Sequence, residues 1–372
     1  TTEIYTLSLH DALPIWRAGR RQRAAGGFAA GRVMSWSTPP YLLADVSVRR
    51  VMLQVLLALL PGIAAYVWLI GPSIILQLAI ATLAALLGEV LMLRLRRRPL
   101  LLFVTDGSAI VTAWLVALAF PPLSPWWLTA VGVLFAIVVA KHLYGGLGQN
   151  PFNPAMIAFA ACIVSFPALM SQWPALGLEL SLREQFEIIV GLAPRVDAMT
   201  GATPLDALKT ALKLGEGAVD VPTLLATQEV FGNFAGRGWE WVSAGYLLGG
   251  VWLWQRRIIP WQAPLAFVCG LSLLAAILWL WKPQQFASPL FHLFSGGAML
   301  GAFFIVTDPV SGSTTFRGKL IFGFLAGAIA YVIRVFGGYP DGVAFAVLLL
   351  NLCVPLIDMY TQPPIFGMKK QR

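Results

Sequence analysis

Two threonines, a carboxylate and two small residues share one polar stretch, Asp197-Ala198-Met199-Thr200-Gly201-Ala202-Thr203-Pro204-Leu205. Two kinds of chemistry suit that spacing. In the first, Thr203 caps a helix that begins at Pro204 and runs to about Lys213. A threonine oxygen accepts backbone N–H groups of the first turn, proline fits the first helical position, and Asp206 stands three residues after the cap. In the second, the Thr203 hydroxyl is esterified. Gly201 and Ala202 leave room for a bulky group, and Asp197 assists the transfer by binding a metal or taking a proton. A helix N-terminus also welcomes a phosphate, because its free N–H groups and its dipole point at it. The two readings are therefore compatible in one geometry.

A second set of candidates lies in apolar surroundings. Phe103-Val104-Thr105-Asp106-Gly107-Ser108 is echoed by Ile305-Val306-Thr307-Asp308, with Ser311-Gly312-Ser313 following. An ionisable residue at membrane depth is a functional candidate, so Asp106 and Asp308 are candidates for an ion site. The alternative is that each caps a helix at the interface. His142 and His292 read as packing residues. Gly297-xxx-Gly301 and Gly323-xxx-Gly327 read as helix contacts. Asn150-Pro151-Phe152-Asn153-Pro154 reads as a turn into a helix. Cys162, Cys269 and Cys353 are scattered singly, with no metal or disulfide spacing.

The elements that carry these residues are membrane helices. The chain has 372 residues, is 58% hydrophobic and only 12% charged, and its mean hydropathy is +0.76. A soluble domain carries about 25% charged residues. The net charge of +9 lies in short loops between apolar runs, which fits membrane topology and not a nucleic-acid face. The expected fold is an all-α polytopic membrane protein. Ten apolar runs predict spans near 51–70, 73–93, 100–120, 126–144, 154–172, 241–255, 262–281, 289–307, 319–337 and 342–360. With the N-terminus in the cytoplasm, the inside segments hold fourteen Lys and Arg and the short outside loops hold two, Lys282 and Arg334. That bias predicts both termini in the cytoplasm and the long 173–240 loop outside.

The Val-Thr-Asp echo spans 202 residues. A second echo, Lys141-His142-Leu143-Tyr144-Gly145-Gly146 with Ile333-Arg334-Val335-Phe336-Gly337-Gly338, spans 192. Two related five-helix halves, 34–172 and 241–372, follow, and an odd count per half makes them inverted. Asp106 and Asp308 then fall near one face, which a plain inversion does not give. Broken segments, with breaks supplied by Gly107, Pro309 and Gly312, would resolve the conflict. Residues 1–33 break the pattern. They have no signal-peptide layout, Ser8 to Ile15 resembles a translated sequencing-adapter scar, and the reading takes 1–33 as a non-native or disordered lead before Met34.

Asp197-x-x-Thr200-Gly201-Ala202-Thr203 resembles the flavinylation motif of ion-translocating electron-transfer complexes. Ser311-Gly312-Ser313-Thr314-Thr315-Phe316-Arg317-Gly318-Lys319 and the ten spans strengthen the likeness. Residues 34–372 resemble the NqrB/RnfD family of membrane proteins. That family holds the RnfD component of the Rnf electron-transport complex and the NqrB component of the sodium-pumping NADH:quinone oxidoreductase. Pro204-Leu205 and the compact N-terminus fit the Rnf branch better. The resemblance implies a bacterial inner-membrane electron relay between ferredoxin and NAD, coupled to ion movement. It implies covalent FMN, moved from FAD by a flavin transferase onto Thr203 as a phosphoester, with Asp197, Thr200, Gly201 and Ala202 around it. It further implies a second, non-covalent flavin among the helices, which makes Asp106 and Asp308 candidates for an ion or flavin site. The implied partners are the other Rnf subunits, A, B, C, E and G. No catalytic residue and no metal site are expected in this chain alone. The competing classes are a non-redox inverted-repeat channel or carrier and a structural membrane anchor; in either, Thr203 is only a cap.

Overall fold

The computed structural model describes residues 47–175, 177–178, 180–194, 199–214 and 220–363. The expected lead at 1–33 and Asp197 lie outside the described residues.

Long apolar runs capped by polar punctuation make the frame. α1 is Val48–Ile70 and α2 is Ser73–Leu95. α3, Leu100–Val104, and α4, Ser108–Ala119, form one interrupted segment. α5, Trp126–Leu134, continues into a π-helical stretch, Phe135–His142. α6, Pro154–Ser165, is followed by the short α7, Pro167–Met170. A connecting region carries α8, Leu182–Val190, α9, Pro204–Leu214, and α10, Val221–Thr227. Beyond it come α11, Trp239–Gln255, and α12, Gln262–Trp281. α13, Pro289–Phe294, α14, Ala298–Leu300, and a second π-helical stretch, Gly301–Ile305, again form one interrupted segment. α15, Phe316–Phe336, and α16, Val343–Thr361, complete the bundle.

Among the described residues, five helices, α1, α2, α12, α15 and α16, are long and apolar enough to cross a membrane. Their outer faces suit lipid. Leu83, Leu87 and Leu91, one per turn of α2, are exposed, where a soluble helix would bury them. Helix lies within each of the other five expected runs, but four differ in form. The 100–120 run is cut at Thr105-Asp106-Gly107, the 289–307 run is cut at Ser295-Gly296-Gly297, and the 126–144 run changes to π geometry after Leu134. The 154–172 run stops at Phe166 because Pro167 cannot continue the ladder. The two cuts are possible because Gly107 (φ 82°) and Gly296 (φ 63°) take a left-handed backbone that a side chain would strain. Gly107 is thus a break as expected, while the second break falls at Gly296 and not at Pro309 or Gly312. The all-helical expectation also needs one correction. Trp173–Pro174 (β1) and Thr200–Gly201 (β2) form a two-rung antiparallel ladder, with Trp173 opposite Gly201 and Pro174 opposite Thr200.

Small residues let the helices touch backbone to backbone. A side chain at Gly323 would run into the Ala263 carbonyl oxygen, one at Gly327 into that of Phe267, and one at Gly270 into that of Phe324. This fuses α12 to α15. Gly249 lies against the Ala58 carbonyl and Gly245 against Gly62, which fuses α1 to α11. Gly327→Ala is expected to cost about 1–3 kcal/mol through overpacking. Its thermal midpoint in detergent should fall, while Gly338→Ala, with open space around Gly338, should leave the midpoint unchanged.

Candidate functional site

The Thr203 segment is held on three sides. Beneath it, Gly201 pairs with Trp173 and the Ala175 N–H donates to the Met199 carbonyl at 3.0 Å. A Cβ on Gly201 would sit 3.0 Å from the Ala175 Cα, so the strand contact is tight and the side of Gly201 where a side chain would stand is filled by Ala175. Ala202 is exposed and Thr203 half-buried. Behind it, Pro204 is buried against Gly236, where any side chain would overlap the proline ring. Leu205, Leu208, Val221, Leu224, Phe231, Ala287 and Phe291 then form a small core that seats α9 and α10 on α13.

Thr203 is the helix cap that its neighbours predicted. Its Oγ1 accepts the Asp206 N–H at 3.2 Å, and its carbonyl accepts the Ala207 N–H at 2.8 Å. One turn later Lys209, buried, donates to the carbonyl oxygens of Arg334 (3.2 Å) and Tyr339 (2.6 Å) around the end of α15. Burial pushes the Lys209 ammonium below its usual range; nearby Lys213 adds to this and Asp206 opposes it. Sequence reasoning missed Lys209, because nothing in its own segment points to a carbonyl acceptor more than a hundred residues away.

Thr203, Pro204 and Asp206 open onto a cavity of about 380 Å³. Its walls are largely apolar and include the aromatic rings of Tyr66, Trp173, Trp239, Tyr246 and Tyr339. Trp239 meets Tyr66 edge-on at 5.8 Å between ring centroids and Trp173 at 5.4 Å. Gly296 and Asp341 also line it. Asp341 is fixed by Arg334, whose Nη2 and Nε donate to its Oδ1 at 3.1 and 3.2 Å, while the Gly297 N–H donates to its Oδ2 at 2.6 Å. His292, packed edge-on to Tyr331 at 4.9 Å, lends its carbonyl oxygen to Arg334 at 2.5 Å.

A second cavity, of about 320 Å³, opens at the opposite end of the helices. It is lined by the start of α1 and the end of α11, whereas the first is lined by the end of α1 and the start of α11. Ser108, Lys141, Asn153 and Asp308 face it. Asp106 does not line it directly. Its Oδ1 accepts the Ser108 N–H and hydroxyl, each at 2.7 Å, so it caps α4. Lys141 donates to Ser108 Oγ at 3.0 Å and to both Glu89 oxygens at 2.9 and 3.0 Å. His142 Nε2 lies 3.1 Å from Glu89 Oε2. Asp308 accepts the Ser311 hydroxyl at 2.7 Å and the Val310 N–H at 3.1 Å, and Asn153 reaches it at 3.4 Å. Both aspartates are therefore turn and cap acceptors beside one cavity, mainly apolar with a few polar groups. Glu89 escaped notice although a lone carboxylate inside an apolar run was signal enough.

The Val-Thr-Asp echo does not mark equivalent places, since Asp106 sits at a helix break and Asp308 beyond a segment's end. In the second echo, Lys141, near the end of the π-helical stretch, reaches the break at Ser108, and Arg334, near the end of α15 and one position out of step with Lys141, reaches the second break through the His292 carbonyl.

An apolar bundle with two such inset cavities is a multi-pass membrane protein. Residues 35–367 match the NQR2, RnfD, RnfE family, and the chain belongs to it. It is 50% identical over 333 residues to the D-type subunit of the ion-translocating oxidoreductase complex of Alcanivorax borkumensis, covering 90% of this chain and 96% of that one. It is 51% identical over 338 residues to the protein of that name from Pseudomonas aeruginosa (90% and 96%), and 49% identical over 347 residues to that of Vibrio cholerae (89% and 98%).

Glu89→Leu alone strands the buried Lys141 charge and is expected to cost about 3–5 kcal/mol, whereas Glu89→Leu with Lys141→Leu should cost less than that. Thermal unfolding of the three proteins in detergent checks the order. Lys209→Met leaves buried carbonyls unpaired, an expected loss of about 1–3 kcal/mol, read as faster amide hydrogen exchange in 204–214.

Proposed function

We propose that this chain is the membrane electron-relay subunit of an Rnf-type ion-translocating ferredoxin:NAD oxidoreductase, carrying FMN as a phosphoester of Thr203. The observation that carries the reading is the placement of Thr203: a motif hydroxyl at the N-terminus of an eleven-residue helix, on the rim of a cavity walled in part by aromatic rings. The residues fit the group. The dipole of α9 favours the phosphate. The esterified Oγ keeps lone pairs, so the cap on Asp206 survives. The cavity is within the size range of ligand sites and is lined as such sites are, by apolar and aromatic walls with few polar points. When bound, the flavin supplies one-electron transfer chemistry, and the protein fixes its position and surroundings. Thr200 and Gly201 hold the strand that presents Thr203, and Asp197 is assigned to the attachment step by the motif.

The cavity beside Asp308, with Lys141 and Asn153, is the best candidate for the second, non-covalent flavin or for the coupling ion. Span parity and the distribution of Lys and Arg support ten crossings of a bacterial inner membrane, both termini in the cytoplasm, and the Thr203 loop outside. Inverted halves are supported by the way each broken segment is interrupted after five or six residues, and by the reach of Lys141 and Arg334 to those breaks at opposite ends of the bundle. The curated relatives are named as subunits of ion-translocating oxidoreductase complexes, which supports partnership with the other subunits of such a complex; subunits A, B, C, E and G and a flavin transferase for maturation complete the proposal.

The test is co-expression with a flavin transferase, followed by a denaturing gel under ultraviolet light. Wild type and Thr203→Ser should give a fluorescent band, and Thr203→Ala none. A dark wild-type lane beside an active transferase would leave Thr203 as a helix cap and favour a carrier.

A further inference from the structure

Tyr66 and Tyr246 are 1% and 5% exposed, and neither hydroxyl has a hydrogen-bond partner among the described residues. Buried tyrosine hydroxyls are ordinarily paired. These two stand on different helices, α1 and α11, yet line the same cavity as Thr203. Their positions are built. The Tyr246 ring fills the space that Gly62 leaves open, since any Cβ at residue 62 would overlap that ring, and Gly62 lies one turn before Tyr66. Trp239, braced by Trp173, holds the Tyr66 ring edge-on. Phe304 holds Tyr246 at 6.2 Å between centroids. Arg334, beside the cavity-lining Gly296, is committed to Asp341 and the His292 carbonyl.

Two neutral, unpaired O–H donors among aromatic and aliphatic side chains suit a flat ring with acceptors along one edge. Resting on the flavin reading above, we propose that Tyr66 and Tyr246 donate hydrogen bonds to the carbonyl and ring-nitrogen edge of the flavin tethered at Thr203, and thereby raise its midpoint potential. Reduction adds electron density to that edge, and a donor binds an acceptor more strongly as the acceptor gains negative charge. Each phenol keeps its proton; the bonds strengthen and no group is transferred.

The full-length protein, co-expressed with the flavin transferase and purified in detergent, tests this through Tyr66→Phe, Tyr246→Phe and the double variant. All should carry the covalent flavin. In redox titrations each single variant should be harder to reduce than wild type. At the wild-type midpoint the double variant should hold a ratio of oxidised to reduced flavin about tenfold higher, the scale of one charge-assisted hydrogen bond. Loaded variants whose midpoints and absorption bands match wild type would overturn the proposal and leave the flavin reading intact. A wild type without covalent flavin would overturn both. A second measurement uses protein made without the transferase. There the Tyr→Phe variants should melt at or above the wild-type temperature, because the lost hydroxyls have no protein partner. A clear drop would show that the hydroxyls serve internal packing and would overturn the proposal.

Discussion

A helix broken inside an apolar bundle must find new partners for the backbone groups that the break sets free, because lipid offers none. That constraint explains most of the charge buried in this chain. At the first break, Asp106 accepts the Ser108 N–H, and Lys141 braces the Ser108 hydroxyl against Glu89. At the second, Asp341 accepts the Gly297 and Val343 N–H groups, and Arg334 takes the His292 carbonyl. Each basic residue has a carboxylate beside it, which makes its burial tolerable. The few polar points of the two cavities are a by-product of these repairs, since side chains that mend the backbone, Ser108, Lys141 and Asp341 among them, also face the open space.

The Thr203 segment is built onto one of those repairs. Lys209 hangs α9 from the carbonyls around the end of α15, beside the residue that secures the second break. Pro204 wedges against Gly236, and the small core around Leu205, Leu208 and Phe231 closes the contact with α13. Thr203 therefore has a fixed place relative to the helices, although it stands on a connecting region. Connecting regions that carry function commonly sit on a rigid scaffold in this way.

How much of this was legible depended on the kind of signal. Hydropathy located helix in every expected run, because burial in lipid and burial in protein select the same side chains. Breaks were harder to place. A glycine in an apolar run reads equally as a packing contact or as a left-handed turn, so Gly296 looks no different from Gly323 and Gly327, whereas Gly107 stands out by following Asp106. The Val-Thr-Asp echo misled because three residues of likeness cannot separate the start of a segment from its end. The cap at Thr203 was readable in full, being local: proline, threonine and aspartate at helix-start spacing. Lys209, Asp341 and the two tyrosines were not readable, since their importance rests on partners or neighbours distant in sequence.

The lysine seat of α9 also fixes an order of events. Lys209 and its acceptor at Tyr339 are 130 residues apart, and a chain is made from its N-terminus onward. The carbonyls that hold α9 do not exist until α15 has been synthesised and laid beside α12. Throughout that interval Thr203 rides on a helix that can lean only on α10, Gly236 and α13, and it reaches its final seat only when nearly the whole bundle is in place.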